Sequence, residues 1–511
     1  MPPAPLSGAH GGASMGSSHT MQPSLRRETA ALLALTFLLP IALSLIFLPT
    51  PTVDTREHIN TGLHFPLYTW KNPPLQDWLT GLVALTGARD AWAYVLVAQL
   101  LNFVGLIYLV GIVRKFIAAD AGLTAAVAFC GSLYVLAALP STALNANQIQ
   151  GALWLGLIYH ALSAMRDDRW RDWLACGAYA ALALLAKYFA AVFIISFGLA
   201  LLLNDGYRRR LARPGPYVAL AFALVLVAPH ILAVLRRPQL FVYGMDTLQF
   251  LSFEVRLSAI IQLFVSVCLL SLPLTSVLRV MAWRGDPLRL APPRGEEART
   301  ILAAALILLA VVVSLILVAG FRFRISYGDP MMPIWILALI CCLRIEPRAI
   351  PVLVRGMLMS VSTVAIVTVA LTQAFTVVKL REPANRAAEL IRADWDARYP
   401  CGPAYIVGRL QDAYAIGLYF GRGTTGAEAG DYLHGQWIDR ARVRDLGIVI
   451  VESPDSVATS FFTRAFPPDA PPTVLSLPYR RWWRGDEHTY LYRFVPPTNC
   501  TGTQFAGAPA N

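Results

Sequence analysis

Apolar runs of roughly bilayer-crossing length recur through the first three quarters of the chain, and mixed patterning replaces them beyond residue 380. The first run covers 29–48. Ten more lie near 91–113, 122–139, 149–164, 173–186, 189–204, 216–235, 256–278, 300–319, 331–343 and 353–376. A membrane helix needs about 20 such residues to cross ~30 Å of hydrocarbon. The pattern therefore predicts a polytopic α-helical membrane protein of about eleven spans, with ends uncertain by a few residues and two neighbours able to form one re-entrant pair. The run at 29–48 is longer than the roughly 7 to 15 residues of a cleavable signal. Residues 1–25 are mostly Pro, Gly, Ser and Ala without apolar period, and are expected to be a disordered cytoplasmic tail.

Beyond residue 380 the periods shorten. An amphipathic stretch at 384–398, apolar runs at 404–407 and 446–451, and alternation at 488–495 predict a small α/β domain. The expected division is a tail (1–25), a transmembrane part (26–379) and a soluble domain (380–511). Cys401 and Cys500 bracket that domain. In an oxidising compartment they can pair as a disulfide, and two free thiols are the alternative.

Composition removes other classes. Of 511 residues 56% are apolar and only 14% charged, which excludes a soluble multidomain enzyme and a disordered chain. Seven scattered cysteines make neither a disulfide scaffold nor a zinc ribbon, and no His/Cys/Asp group has metal-ligand spacing, so neither metal nor cofactor is expected. No phosphate-cradling Gly-rich loop with a Lys-Ser/Thr pair is present, against an ATP-driven pump.

The net charge of +12 lies wholly before residue 380, because the remainder holds 14 basic and 14 acidic residues. With the N-terminus inside, the loops assigned to the cytoplasm carry 19 Lys and Arg and the opposite loops nine. Basic residues are retained on the cytoplasmic side, so this excess reports orientation in a cytoplasmic (inner) membrane rather than nucleic-acid binding. The first interspan loop and the C-terminal domain then face the periplasm.

That first loop concentrates the chemistry. Asp54 and Glu57 directly follow the first span, and the run Lys71, Asn72, Pro73, Pro74, Leu75, Gln76, Asp77, Trp78, Leu79 comes later in the same loop. Asp54 as an N-cap with Glu57 completing a capping box is one reading. The other starts from the cost of a carboxylate beside a bilayer, which needs a partner or a task. A carboxylate can take the proton of an attacking hydroxyl while cations stabilise a departing phosphate. Asp54 is the candidate base, and Lys71, Lys187, Arg322 and Arg324 are the candidate phosphate partners.

Asp54 and Glu57, the 71–79 run, Asn145 and Asn147, the stretch Leu184, Leu185, Ala186, Lys187, Tyr188, and Ala228, Pro229, His230 together resemble the bacterial protein-mannosyltransferase-like family of the GT-C glycosyltransferase superfamily. The resemblance covers most of 29–345, and relatives include the lipid A aminoarabinose transferase and the protein O-mannosyltransferases. It implies a GT-C fold and an enzyme that moves a sugar from a polyprenyl-phosphate carrier, with inversion, to an acceptor on an envelope glycan, lipid or protein at the outer membrane face. It implies Asp54 as base or acceptor-orienting group, with Glu57 at the following acidic position. Lys187 and Tyr188 would meet the carrier phosphate, with Lys71 and the Arg322, Arg324, Tyr327 cluster as further basic positions. Asn145, Asn147 and His230 are candidate substrate contacts, although turn-forming and structural roles compete for them. The family often has His where this chain has Asn72, so a role for that His is not carried over.

Trp482 and Trp483 could face a glycan or pack in a core. The rival class is a secondary transporter or lipid flippase, which would call for internal repeats and mid-membrane acids or broken helices. Neither pointer is clear in this sequence.

Overall fold

In the computed structural model, residues 22–47, 50–69, 71–132, 144–236, 252–375, 383–421, 423–428, 431–432, 437–452, 454, 471–480 and 485–500 are described. Trp482 and Trp483, with residues 133–139 of the third predicted span, lie outside them.

Among the described residues, each of the eleven apolar runs falls on a helix or a helix pair, the third only over Gly122–Cys130. Among the described residues six helices are long and apolar enough to cross a bilayer: Ala91–Ile117, Pro214–Leu235, Phe253–Trp283, Glu296–Leu317, Ile325–Cys342 and Pro347–Val367. Two bent pairs bring that number to eight if each pair is one span. Pro23–Phe37 with Leu39–Ile46 bends by 40°, where Pro40 removes a backbone donor, and Ala190–Leu202 with Asp205–Leu211 bends by 109°. The other three runs fall on Gly122–Cys130, Ala146–Asp167 and Trp170–Ala186, which are shorter or more polar. Against the eleven spans expected, the described residues hold six helices, or up to eight with the bent pairs, that are long and apolar enough to cross. Residues 23–25, assigned above to the tail, form the first turn of Pro23–Phe37, with Pro23 at a position that needs no donor.

Ala146–Asp167 is the central helix. It packs against Trp170–Ala186 on one side and Ala91–Ile112 on the other, and it buries Gln148 and Gln150 along with Trp154, Leu155 and Ile158. Pro214–Leu235 lies towards the outside of the bundle, with Leu220, Leu224, Val225 and Leu232 exposed. Such a row of bare apolar side chains suits contact with hydrocarbon. Two short strands unseen in the sequence, β1 (Leu288–Leu290) and β2 (Leu343–Ile345), pair antiparallel and tie two interhelical connections together.

The predicted α/β unit is present. Its strands are β3 (Tyr405–Gly408), β4 (Thr425–Glu428), β5 (Ile448–Glu452), β6 (Thr473–Arg480) and β7 (Gly485–Val495), in the order β4-β3-β5-β7-β6. β3 runs parallel to β4 and β5, while β7 is antiparallel to both β5 and β6. The helix Ala384–Arg398 turns Ala387, Ala388, Ile391 and Trp395 onto one side of the sheet, against Ile406, Val449 and Tyr490. Cys401 and Cys500 are joined as a disulfide, closing the unit across 99 residues.

Candidate active site

The loop after the first helix pair folds into two short helices, Val53–Gly62 and Leu75–Ala84, crossing in close contact. Glycine sets the approach. A Cβ on Gly62 would lie 2.2 Å from the Asp77 carbonyl oxygen, and one on Gly81 would lie 2.2 Å from that of Gly62. Thr80 fastens the crossing by donating its hydroxyl to the His58 carbonyl at 2.6 Å.

Thr52, not Asp54, occupies the N-cap of Val53–Gly62, and no side chain caps it, so the capping-box reading of Asp54 and Glu57 is corrected. Asp54 sits in the first turn and is exposed, where its negative charge favours the helix dipole. Its charge reaches both His58 and Lys187.

Lys187 comes from the break between Trp170–Ala186 and Ala190–Leu202, where the backbone turns extended. Its ammonium donates to Asn147 Oδ1 at 2.7 Å and lies 4.1 Å from the centre of the Tyr327 ring. The break is held by Gln150, whose Nε2 donates to the Lys187 carbonyl at 3.0 Å. Asp329, Arg324 and Asp54 all act on the ammonium through their charges. Three separate segments therefore meet at Lys187, the central helix, the break and the 3-10 turn Ile325–Met331, and the loop helix acts on it through the charge of Asp54. Arg322 and Arg324 lead into that turn, and both are exposed.

The remaining sequence candidates divide by role. Tyr188 donates its hydroxyl to His230 Nε2 at 2.9 Å, while His230 Nδ1 donates to the Leu67 carbonyl at 2.7 Å. A carbonyl can only accept, so Nδ1 bears the proton and Nε2 is left to receive the phenol. His230 thus ties the first loop to Pro214–Leu235. Asn145 is the N-cap of Ala146–Asp167, its carboxamide oxygen accepting from the backbone N–H groups of Asn147 and Gln148, so the turn-forming reading describes it.

Glu57 and Lys71 meet on the other side of the loop. The Lys71 ammonium bridges Glu57 at 3.0 Å and Glu428, on β4, at 2.6 Å. Burial pushes the Glu57 carboxyl above the usual range, against the pull of Lys71. The Lys71 ammonium is raised instead, because the two carboxylates outweigh burial. Around this bridge the C-terminal unit grips the loop helix. Asn60 donates to the Tyr414 carbonyl at 3.2 Å and accepts from the Gly426 N–H at 2.6 Å. His64 stacks on Trp437 at 4.8 Å and meets the Thr425 hydroxyl at 3.2 Å. Asp431, buried beside Glu57 and Glu428, accepts a short hydrogen bond from the Tyr414 hydroxyl, and burial raises its carboxyl to about 8.

Sequence reasoning missed Glu428, Asp431 and Tyr414 at this junction, because nothing in their local pattern ties them to a loop more than 350 residues earlier. Asp77 stood inside the 71–79 run already singled out, and Asp329 lies two residues beyond Tyr327. His58 follows Asp54 by four residues, a helical spacing that places both on one face.

Residues 71–232 match the family model described as dolichyl-phosphate-mannose-protein mannosyltransferase. No curated protein sequence matches the chain. Among solved structures, the fold matches ArnT from Cupriavidus metallidurans bound to undecaprenyl phosphate, with a TM-score of 0.61 and 16% identity over 92% of this chain and 98% of that one. The apo state of ArnT gives 0.60 and 16%, over 92% and 97%. The fold is thus of the ArnT type, and the resemblance to the GT-C superfamily read from the sequence is borne out by the family-model segment and the fold together.

Proposed function

We propose that this protein is a membrane glycosyltransferase that moves a sugar from a polyprenyl-phosphate-linked donor to an acceptor hydroxyl on an envelope glycan, lipid or protein. The observation that carries the reading is the Lys187 side chain held by Asn147 and Tyr327, with the exposed carboxylate of Asp54, from another segment, near enough to act on it through its charge. That is the equipment a displacement at an anomeric carbon needs: a base for the attacking hydroxyl and a positive site for the departing phosphate.

In the reaction, the acceptor O–H gives its proton to an Asp54 oxygen as the acceptor oxygen bonds to the anomeric carbon. The bond from that carbon to the phosphate oxygen breaks, and the carrier phosphate leaves with the electron pair towards Lys187, with Arg322 and Arg324 at the rim. One displacement inverts the anomeric centre. Lys71 is already shared by Glu57 and Glu428, so it fits better as a brace of the loop than as a phosphate partner. Binding of undecaprenyl phosphate by ArnT, which has the same fold, supports a lipid-phosphate donor here.

The reaction side is read from contact. The C-terminal unit holds a disulfide, a bond of oxidising compartments, and grips the loop that carries Asp54. Both then lie on the periplasmic side of a cytoplasmic membrane. The test is transfer of labelled sugar from a synthetic polyprenyl-phosphate donor to an envelope extract by the detergent-purified protein. Transfer by wild type that is lost in a folded Asp54→Asn variant is expected. Absence of turnover with all such donors, alongside movement of a lipid between leaflets, would replace the enzyme reading with a flippase.

A further inference from the structure

Beneath Asp54 the crossing of the two loop helices encloses a buried ionisable pair that the reaction above does not use. His58 Nδ1 lies 2.8 Å from Asp77 Oδ1, and the two side chains are 6% and 0% exposed. The Thr61 hydroxyl donates to the same Asp77 oxygen in a short hydrogen bond, while Asp77 Oδ2 has no hydrogen-bond partner among the described residues. A buried carboxylate satisfied on one oxygen only is costly unless a cation stands against it. His58 is the group that meets it, while the buried Arg56 on the same helix turns to the Pro51 and Gln411 carbonyls. We propose, resting on the glycosyltransferase reading, that His58 is a positioning residue for Asp54, held by Asp77 as the imidazolium that offsets the negative charge gathered on the loop helix.

The surroundings favour that form. Burial works against the charged ring, but Asp77, Glu57 and Asp54 outweigh it, and the ring is shifted above its ordinary value of 6.5. From the C-terminal unit, the helix Leu410–Phe420 and β4 pack against the loop helix. They carry Asp412 and Glu428, and add negative charge rather than positive. The cation beside Glu57, Lys71, is taken up by two carboxylates. A donor phosphate entering towards Lys187 would meet Asp54 as a like charge, and a fixed cation one turn below Asp54 offsets that repulsion without contacting the substrate.

The charge can be read from the pH dependence of kcat/KM for the donor. In wild type it should fall about tenfold per unit on a limb above 6.5, as the ring loses its proton. Asp77→Asn should move that limb down by about one unit or more, since an opposing charge has been removed. His58→Gln should be slow and should lose that limb, keeping only the titration of Lys187, whose ammonium burial brings down to about 7. A merely structural role would lower the rate in both variants and leave the limb in place, and that outcome overturns the proposal. So does a wild type that turns over with no limb at all. Where a variant fails to fold, NMR of the 15N-histidine wild type decides: a strongly deshielded ring N–H that disappears as pH rises through the limb is expected, and its absence overturns the proposal. Failure of the glycosyltransferase reading is separate, because wild type would then not turn over the polyprenyl-phosphate donor at any pH.

Discussion

At the scale of single residues, similar side chains do different work. Lys71 and Lys187 are both basic positions beside the membrane, but one is braced between carboxylates and the other meets, among the described residues, an amide, a ring face and more distant charges. Replacing Lys187 with Met should therefore lower kcat/KM for the donor by roughly 10- to 100-fold, the loss of a charge-assisted hydrogen bond worth about 1.5–3 kcal/mol, with Tm little changed. Asn145→Ala should do the reverse: lose about 1 kcal/mol of stability with the cap and leave the kinetic constants near wild type. Asp431 makes a pH prediction with a definite sign. Its carboxyl is raised from 3.8 to about 8 in the native protein, so between those values the folded state binds the proton that the unfolded chain has lost. Stability must fall as pH rises through that window and level off above about 8. Melting Asp431→Asn beside wild type from about pH 5 to about pH 9 should show a shallower decline in the variant. Parallel curves would mean that Asp431 does not carry this slope.

At the scale of elements, close backbone approach rather than side-chain bulk orders the site. The Gly62–Gly81 crossing lets Asp77 reach under His58 and places Asp54 at the free end of the helix. Gly62→Ala drives a methyl group against the Asp77 carbonyl, which cannot swing away as a flexible side chain could. The expected cost is about 1–3 kcal/mol, seen as a lower Tm in detergent, together with a fall in kcat as Asp54 is displaced. An alanine variant that melts and turns over like wild type would mean that the crossing has slack. These elements also divide what was legible. Ala384–Arg398, β3 and β5 were readable because each carries its own period, and Asp54 and Lys187 because a span end makes a charge conspicuous. β4 and β6 were not, since Thr425–Glu428 is four residues of small and polar character and Thr473–Arg480 includes a proline. The bridge from Lys71 to Glu428 joins residues 357 positions apart, a pairing that only the tertiary fold creates.

At the scale of the whole molecule, the contact between loop and C-terminal unit constrains the membrane path. The two touch through Asn60, His64 and Lys71, so they lie on the same side, and the chain between them must cross the bilayer an even number of times. The six long apolar helices all follow the loop and satisfy this by themselves. If Ala190–Leu202 is also a crossing, an odd number of Gly122–Cys130, Ala146–Asp167 and Trp170–Ala186 must cross too, and the pattern-based total of eleven meets the condition with all three. A total of eight, with both bent pairs as spans and those three helices excluded, breaks it. The eleven-span path puts the basic cluster of Arg208, Arg209, Arg210 and Arg213 in the cytoplasm and the disulfide-bonded unit outside. Reporter enzymes that are active only in the periplasm, fused after Arg210 and after Asn511, should be silent in the first case and active in the second. Activity at both sites would place Arg210 on the same side as Asp54. The basic cluster would then face the donor's compartment, and, with Lys187 held on the side of Asp54, Ala190–Leu202 would not be a crossing.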